Sequence, residues 1–394
     1  MNREIGSMLP KYVKSALYKI YENGFDAYLV GGCVRDLLSG RRPKDYDIAS
    51  SALPGEIPAV FEKSYPTGLP YGTVTVIVSG HPVEITTYRR DGVYADGRRP
   101  DKVYFSSSIL EDLKRRDFTV NAMAWSEKSS VLDPFNGRAD LSAKLIRCVG
   151  DPLERFSEDP LRIFRAWRFS CTLGFQIERD TKAAALSLKD RLCSVSAERI
   201  TAELRRMLCA KRTDALYEMI NCGLMERFGL KDAPLEILKL SKIKTDAKQR
   251  AAVFAVLLER AGSVENASWF LKRMRFDRST IKLAETAARW KGSLNSGLDI
   301  KKAVSGCGKE AAEVIAAVYF IETGENAPLA LRSILKSGEC MTLSDLKITG
   351  NELKRLGAEG EQIGAILEKL LNHVLIFPDD NQTEKLTLIA QQLI

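Results

Sequence analysis

The sequence predicts an α+β protein, in which an N-terminal head of strands and helices precedes a long remainder that is helical almost throughout. Over residues 1–148, short runs rich in β-branched residues and bounded by glycine alternate with helix-like stretches. From about residue 149 apolar residues recur at every third and fourth position, as amphipathic helices require. The chain has 394 residues, which exceeds a typical single domain, so we expect several domains.

The elements of the head follow from local patterns. The run "AYLV" (27–30) predicts a strand that leads into Gly31 and Gly32, and "CVRDLL" then predicts a helix. "DYDIA" (45–49) predicts a second short strand. "GTVTVIVSGHPVEITTY" (72–88) predicts a β-hairpin, because β-branched runs flank a central Ser-Gly-His. Beyond residue 149, glycines and prolines separate the predicted helices.

Composition indicates a folded protein outside the membrane. The chain is 45% hydrophobic and 28% charged, which is ordinary for a globular protein. No apolar run approaches the roughly 18–20 residues needed to cross a bilayer. The start, "MNREIGSMLPKYVKS", lacks the apolar core of a signal peptide. We therefore expect a cytoplasmic protein with no membrane partner.

Several classes of site are disfavoured by residue counts. The eight cysteines form no CxxC pair, so neither a zinc site nor a disulfide framework is indicated. The chain has two histidines, His81 and His373, which disfavours histidine-dependent metal hydrolysis and a Ser-His-Asp triad. The formal charge of +8 is compatible with a nucleic-acid partner without requiring one.

The glycine pair after the first strand is a candidate anion site. A strand that ends in Gly31 and Gly32 before a helix exposes backbone N–H groups at the helix N-terminus. Arg35, on the first helical turn, could reach a phosphate through its fork of donors. Taken alone, the motif fits equally well a tight turn followed by a surface arginine.

Two aspartates come ten and twelve positions after Arg35. In a strand, Asp45 and Asp47 would share one face about 6–7 Å apart, where like charges repel unless a cation lies between them. Such a pair suits Mg²⁺, which takes one or two protein carboxylates together with substrate phosphates. A solvated loop is the alternative, but the preceding glycine turn and arginine favour the metal site. Glu84 is a candidate third carboxylate, although strands often carry a solvent-facing glutamate.

The segment "LKRRDFTVNAMAW" (113–125) combines charge with a stretch apolar enough to be buried. A buried Asn121 would need hydrogen-bond partners, which a ribose hydroxyl or a neighbouring loop could supply. The alternative is the basic start of a helix.

The segment "EDPLRIFRAWRF" (158–169) places charged residues every three positions. Asp159, Arg162, Arg165 and Arg168 would lie on one side of a helix, and we expect arginines with little compensating acid to attract an anionic ligand. A solvated charged face is the alternative. A carboxylate beside a guanidinium also complements the amino group and ring nitrogen of adenine and cytosine, and rejects guanine and uracil. Asp159 and Arg162 therefore predict selection of A and C by protein alone.

In order and spacing, these stretches resemble the class II tRNA nucleotidyltransferases and the related bacterial poly(A) polymerases of the DNA polymerase beta superfamily. "LVGGCVRDLLSGRRPKDYDIA" is similar to the family's nucleotide and metal motif, "RRDFTVNAMA" to its ribose motif, and "EDPLRIFRAWRF" to its amino-acid template. Similarity is strong over about residues 25–210 and returns at 348–375. Tyr71 stands where the family leads us to expect a histidine.

The resemblance implies a polymerase-beta-like head with a small mixed sheet, followed by an all-α neck, body and tail. It implies a two-Mg²⁺ transfer that adds CCA to the 3′ end of tRNA from CTP and ATP and releases pyrophosphate. Asp45 and Asp47 match the Mg²⁺ ligands and catalytic residues. The nucleotide-binding positions are matched by Gly32, Arg35, Arg116, Asp159, Arg162, Arg165 and Arg168.

The implied organisation has four parts: a catalytic head (1–148), a neck that reads the base (149–210), a body (211–310) and a tRNA-binding tail (311–394). We expect the helical parts to hold tRNA by shape and backbone charge, with the basic stretch "FLKRMRFDRSTIK" (270–282) as a candidate phosphate contact or, alternatively, a solvated face. Residues 89–105 resemble the family's flexible loop, and we hypothesise that 89–102 moves during the reaction.

Alternatives remain within and outside this family. The chain could be a poly(A) polymerase, an enzyme that adds only CC or only A, or a non-catalytic RNA-binding protein. The intact aspartates and arginines favour an enzyme, and the loop "DGVYADGRRP" favours the complete CCA activity. A homodimer is possible.

Overall fold

A computed structural model of the chain describes residues 2–92 and 103–394. The chain divides into two compact units, residues 1–203 and 204–394. The strands are β1 (Ala27–Val30), β2 (Asp47–Ser50), β3 (Ser64–Gly68), β4 (Thr73–Val78), β5 (His81–Thr87), β6 (Arg89–Asp91), β7 (Val103–Phe105), β8 (Ala124–Ser126), β9 (Ser130–Leu132), β10 (Leu145–Ile146) and β11 (Gln176–Ile177).

Helices dominate the second unit and flank the sheet of the first. They are α1 (Asn2–Met8), α2 (Lys11–Glu22), α3 (Gly32–Leu38), α4 (Ile57–Val60), α5 (Ile109–Lys114), α6 (Gly137–Ala143), α7 (Pro152–Glu158), α8 (Leu161–Leu173), α9 (Arg179–Ser187), α10 (Ala197–Leu208), α11 (Asp214–Asn221), α12 (Ala247–Arg260), α13 (Ala267–Arg273), α14 (Arg278–Arg289), α15 (Gly297–Cys307), α16 (Lys309–Thr323), α17 (Ala327–Ser337), α18 (Gly350–Arg355), α19 (Gln362–Ile376) and α20 (Thr383–Gln391). Short 3₁₀ helices lie at Leu69–Tyr71, Thr119–Asn121, Lys189–Ser194, Glu226–Phe228, Leu235–Lys242, Leu343–Asp345 and Pro378–Asp380.

The first unit is built on a seven-stranded mixed sheet with the order β3-β4-β5-β2-β1-β8-β9. Strands β2 and β5 pair in parallel, and the other neighbours pair antiparallel. The predicted hairpin is β4 and β5, joined by Ser79 and Gly80 with φ values of 51° and 81°, the left-handed conformation of a tight hairpin turn. The predicted fold class, a mixed sheet followed by helices, is confirmed.

Alternation along the strands gives the sheet two different faces. On one face, Leu29, Ile48 and Ile85 join a large core with α2 and α3. On the other face, Val30 and Ala49 join a small core that includes Leu113 of α5. The odd-numbered residues of β2 and the even-numbered residues of β5 therefore lie on the face that carries the small core, which we call the smaller-core face.

Three predictions need adjustment. The strand predicted for 45–49 begins at Asp47, so Asp45 lies just outside it. The neck at 149–210, expected to be all-α, contains β11, which pairs in parallel with β10. The loop expected at 89–105 begins with β6 and ends with β7, and these two strands pair antiparallel. Residues 93–102, which are most of the segment 89–102 that we hypothesise to move, lie outside the described residues.

In the second unit, α12 is the central helix. All eight residues from 251 to 258 are buried, and α12 packs against α13, α14 and α16. Its N-terminus is fixed by a capping box between Asp246 and Gln249. In the part of the chain that the structure describes, no helix is long and apolar enough to cross a membrane.

Candidate active site

Three carboxylates meet at one place on the sheet. Asp47 begins β2 and lies directly opposite Glu84 in the parallel ladder, so their Cα atoms are about 4.8 Å apart. Tyr46 turns its ring into the large core, where it is 7% exposed. Its neighbour Asp47, the first residue of β2, therefore points to the opposite face, whereas Asp45 lies in the bend that precedes the strand. Asp45 is close enough for its charge to act on both Asp47 and Glu84.

The electrostatics of these carboxylates favour a cation. Although Asp47 and Glu84 are exposed by surface area, the protein around each carboxyl partly desolvates it and raises its pKa. The charge of Asp45 raises both pKa values further, that of Asp47 adds to the effect on Glu84, and that of Arg116 lowers the pKa of Asp47. The ionised forms of Asp47 and Glu84 are thus destabilised, and a bound divalent cation would relieve the repulsion. Within the described ranges, no group of three or more histidine, cysteine, aspartate or glutamate side chains is placed to hold a metal ion.

The glycine turn makes room for Arg116. Gly31 has φ 74° and ψ −135°, a conformation that only glycine adopts easily. A Cβ atom at Gly31 would lie 2.7 Å from Nη1 of Arg116, so any other residue would force that guanidinium to shift. Arg116 also donates to Asp112, at 3.0 Å, and this ion pair fixes the guanidinium beside the turn. Gly32 is the first residue of α3, where a Cβ would make only ordinary contacts.

Arg35 is buried and belongs to a hydrogen-bonded chain. Its Nη1 donates to Oδ1 of Asn121 at 2.6 Å, so the alternative of a surface arginine is wrong. Asn121 Nδ2 donates to Asp117 Oδ1 at 3.3 Å. Arg165 then donates to Asp117 Oδ2 through Nε at 2.8 Å and Nη2 at 2.6 Å. Burial would raise the pKa of Asp117, but Arg165 outweighs it and lowers that pKa to about 2.

The arginines of α8 are compensated, contrary to expectation. Arg168 donates from Nε to Glu203 Oε2 at 2.7 Å, and Arg165 Nη1 lies 3.7 Å from the other oxygen of Glu203. The alternative of a solvated face is also wrong, because Arg162 and Arg168 are each 8% exposed. The prediction of little compensating acid fails because Asp117 and Glu203, the partners of Arg165 and Arg168, come from distant segments. Phe169 lies among three guanidinium groups, with centroid distances of 3.4 Å to Arg168, 5.4 Å to Arg165 and 5.7 Å to Arg35.

Asp159 and Arg162 lie at the start of α8 and are each held by another residue. Asp159 Oδ1 accepts from the backbone N–H of Leu161 at 3.1 Å, and Oδ2 accepts from Arg199 Nη2 at 2.7 Å. Arg162 donates to Glu158 Oε2 at 2.5 Å and to the carbonyl of Arg115 at 3.1 Å. Both side chains are therefore held in place by neighbouring residues before any ligand binds.

Comparison with known proteins assigns the family. A family model described as "Poly A polymerase head domain" matches residues 27–147, and one described as "Probable RNA and SrmB- binding site of polymerase A" matches residues 174–230. The CCA-adding enzyme of Levilactobacillus brevis is 35% identical over 384 residues, 96% of each chain. The chain belongs to the CCA-adding enzymes.

Further comparisons agree with membership of the CCA-adding enzyme family. The CCA-adding enzyme of Listeria monocytogenes is 35% identical over 360 residues, 91% of each chain. The crystal structure of the Bacillus stearothermophilus CCA-adding enzyme in complex with CTP aligns with a TM-score of 0.79 at 28% identity, covering 97% of this chain and 96% of that one. The fold and the family are thus supported along nearly the whole length.

Sequence reasoning about this member of the CCA-adding enzymes missed two residues of the site. Arg199 holds Asp159, and Glu203 holds Arg165 and Arg168. Both lie on α10 four positions apart, so they share one face of that helix. An arginine and a glutamate four positions apart on a predicted helix were the available signal.

Proposed function

We propose that this chain adds CCA to the 3′ end of tRNA, using CTP and ATP and no nucleic-acid template. In the reaction, the terminal 3′-hydroxyl attacks the α-phosphorus of the nucleotide, a phosphodiester bond forms, and pyrophosphate leaves. The observation that carries the proposal is 35% identity over 96% of the chain to a protein named for CCA addition. The carboxylates and arginines described above support the proposal.

Within that site, we assign the metal to the carboxylates. Asp45 and Asp47 would hold Mg²⁺ on the smaller-core face of the sheet, with Glu84 beside them as a candidate third ligand. When bound, Mg²⁺ would lower the pKa of the attacking hydroxyl and neutralise charge on the triphosphate. Arg116 and Arg35, next to the turn at Gly32, would orient the phosphates as fixed cations.

Base selection falls to Asp159 and Arg162. An ionised Asp159 accepts a hydrogen bond from the amino group of adenine or cytosine, and Arg162 donates to the neighbouring ring nitrogen. Guanine and uracil present a carbonyl and an N–H at these positions, so the same pair leaves their groups unsatisfied. Arg165 and Arg168, anchored on Glu203, would complete the nucleotide site.

The remaining assignments concern organisation and partners. We assign residues 1–148 to the catalytic head, 149–210 to the neck, 211–310 to the body and 311–394 to a tRNA-binding tail, in a cytoplasmic enzyme that can form a homodimer.

The basic stretch at 270–282 is a candidate contact for tRNA phosphates, because its basic side chains are all exposed. They are Lys272, Arg273, Arg275, Arg278 and Lys282.

The test is an extension assay with two substrates. The purified protein and Mg²⁺ are incubated with tRNA ending at the discriminator base and with tRNA ending in CC, supplied with CTP, ATP or both. We expect three nucleotides on the first substrate, one on the second, and none from an Asp47→Asn variant. Stopping at two, or action on the CC-ended tRNA alone, would indicate a partial enzyme, and long A tails on arbitrary RNA a poly(A) polymerase. No transfer at all would leave an RNA-binding protein.

A further inference from the structure

A cavity of about 370 Å³ lies wholly within the second unit. It lies where the end of the 3₁₀ helix Leu235–Lys242 and the segment after it meet α12, α16 and α17. Its volume is within the range of small-molecule sites, roughly 300–1,000 Å³. None of the proposed catalytic or nucleotide-binding residues lines it, so it needs a separate explanation.

The wall of this cavity combines an apolar surface with fixed polar groups. Phe320, half-buried, presents an aromatic side chain beside the buried Ala317. The amide of Gln249 is held at both ends: Nε2 donates to Glu313 Oε2 at 2.5 Å, and Oε1 accepts from the backbone N–H of Asp246 at 3.3 Å. These groups are rigid because they belong to the capping box of α12 and to its contact with α16.

One polar atom of the wall lacks a partner. Thr245 lines the cavity, and its hydroxyl oxygen is buried without a hydrogen-bond partner among the described residues. A buried hydroxyl in that state is costly, so the wall carries an unsatisfied polar group next to the cavity. This observation is independent of the cavity's size and shape.

The charged residues of the cavity favour an anion. Three cations line it, Lys242, Lys244 and Arg332, against the single carboxylate of Glu313. Arg332 Nη2 donates to the backbone carbonyl of Lys244 at 3.3 Å, which places its guanidinium beside the segment that carries both lysines. A concave surface with excess positive charge concentrates anions, and guanidinium groups bind phosphate well.

We propose that this cavity binds a nucleotide, with its base against Phe320 and its phosphate near Lys242, Lys244 and Arg332. A nucleotide is the class of molecule that joins a flat aromatic body, hydrogen-bonding edges and an anionic group, and aromatic side chains stack on every base. The same chemistry is offered by a free nucleotide and by an unpaired nucleotide of an RNA. The proposal stands on the second unit alone and is independent of the reaction assigned to the first.

Photolabelling of the full-length chain tests this assignment. The protein is irradiated with 8-azidoadenosine monophosphate, and labelled peptides are mapped by mass spectrometry. We expect label in peptides that contain residues 242–249 or 313–332. Label confined to peptides of residues 1–203 would overturn the cavity proposal and leave the proposed function standing, so the two can fail separately.

Matched variants locate the phosphate and the base. Arg332→Glu should weaken labelling of the cavity peptides at least tenfold, whereas Lys336→Glu, four residues later on the same helix and outside the cavity lining, should not. Phe320→Leu keeps an apolar side chain but removes the flat ring. It should weaken competition by adenosine monophosphate about tenfold and leave competition by inorganic phosphate unchanged. Equal effects of Arg332→Glu and Lys336→Glu would overturn the proposal.

Competition identifies the source of the nucleotide. Protection by adenosine monophosphate indicates a free nucleotide, and protection by tRNA alone indicates an unpaired nucleotide of the RNA. Either result supports the nucleotide chemistry. Label that neither competitor displaces would be nonspecific and would overturn it.

Discussion

Replacing Asp117 with asparagine should destabilise the first unit by about 2 to 3 kcal/mol at neutral pH. The pKa of Asp117 is lowered from 3.8 to about 2, against the effect of burial and because of Arg165. One pKa unit corresponds to about 1.4 kcal/mol, so the ionised carboxylate contributes about 2 to 3 kcal/mol to folding. The variant keeps the shape of the side chain and loses the charge.

The contribution should depend on pH in a defined direction. Because the pKa of Asp117 is lower in the folded state, its stabilisation is fully present above about pH 4 and is lost as the pH falls through about 2. By the same linkage, about half of it remains at pH 3. The difference in unfolding free energy between the native protein and Asp117→Asn should therefore halve between pH 7 and pH 3.

Urea unfolding followed by tryptophan fluorescence measures this difference. Trp125 and Trp167 are buried in the first unit, and the chain's other tryptophans are Trp269 and Trp290 of the second unit. Changing the latter two to phenylalanine in both proteins restricts the signal to the first unit.

An exposed aspartate of the same unit provides the control. Asp190→Asn should change the unfolding free energy by no more than about 0.5 kcal/mol at either pH. A loss in Asp117→Asn that is the same at pH 7 and pH 3 would refute the ion-pair argument, because it would arise from packing and not from charge.

Three further predictions concern the site. Gly31→Ala and Gly40→Ala both place a side chain at positive φ, so each should lower the free energy of unfolding by about 1 kcal/mol. Only the new side chain at Gly31 meets a guanidinium, that of Arg116, so only Gly31→Ala should raise KM for CTP in the extension assay. Arg199→Ala removes the donor that holds Asp159, the carboxylate that we assign to base reading, and should increase misincorporation from GTP and UTP about tenfold. Arg191 is exposed and nearby in sequence, so Arg191→Ala should leave fidelity unchanged. Mg²⁺ should raise the melting temperature of the native protein measured by calorimetry, and an Asp47→Asn variant that responds equally would contradict the metal assignment.

Patterns confined to a few neighbouring residues were predictable. The strand at 27–30 and the hairpin at 72–88 follow from alternation and turn residues, and the structure has both of them. The helices beyond residue 149 follow from apolar periodicity in the same way.

Contacts between distant segments were not predictable. Asp117 and Arg165 are 48 positions apart, and Arg168 and Glu203 are 35 apart, so no local pattern pairs them. The placement of Glu84 opposite Asp47 depends on the register of a parallel ladder, which is set by tertiary packing and not by either strand. The same holds for the cavity of the second unit, whose wall exists only after four segments have packed.

The ion pairs of Asp117 bear on where the chain can be divided. A fragment that stops at residue 148 keeps Asp117 and Asn121 but discards Arg165, which leaves an acidic group in the interior without its counter-ion. It also removes Thr181, whose hydroxyl accepts from the backbone N–H of Cys148 at 3.1 Å. Arg165 and Arg168 are in turn held by Glu203 of α10. An autonomous catalytic fragment must therefore extend into α10, at least as far as Glu203.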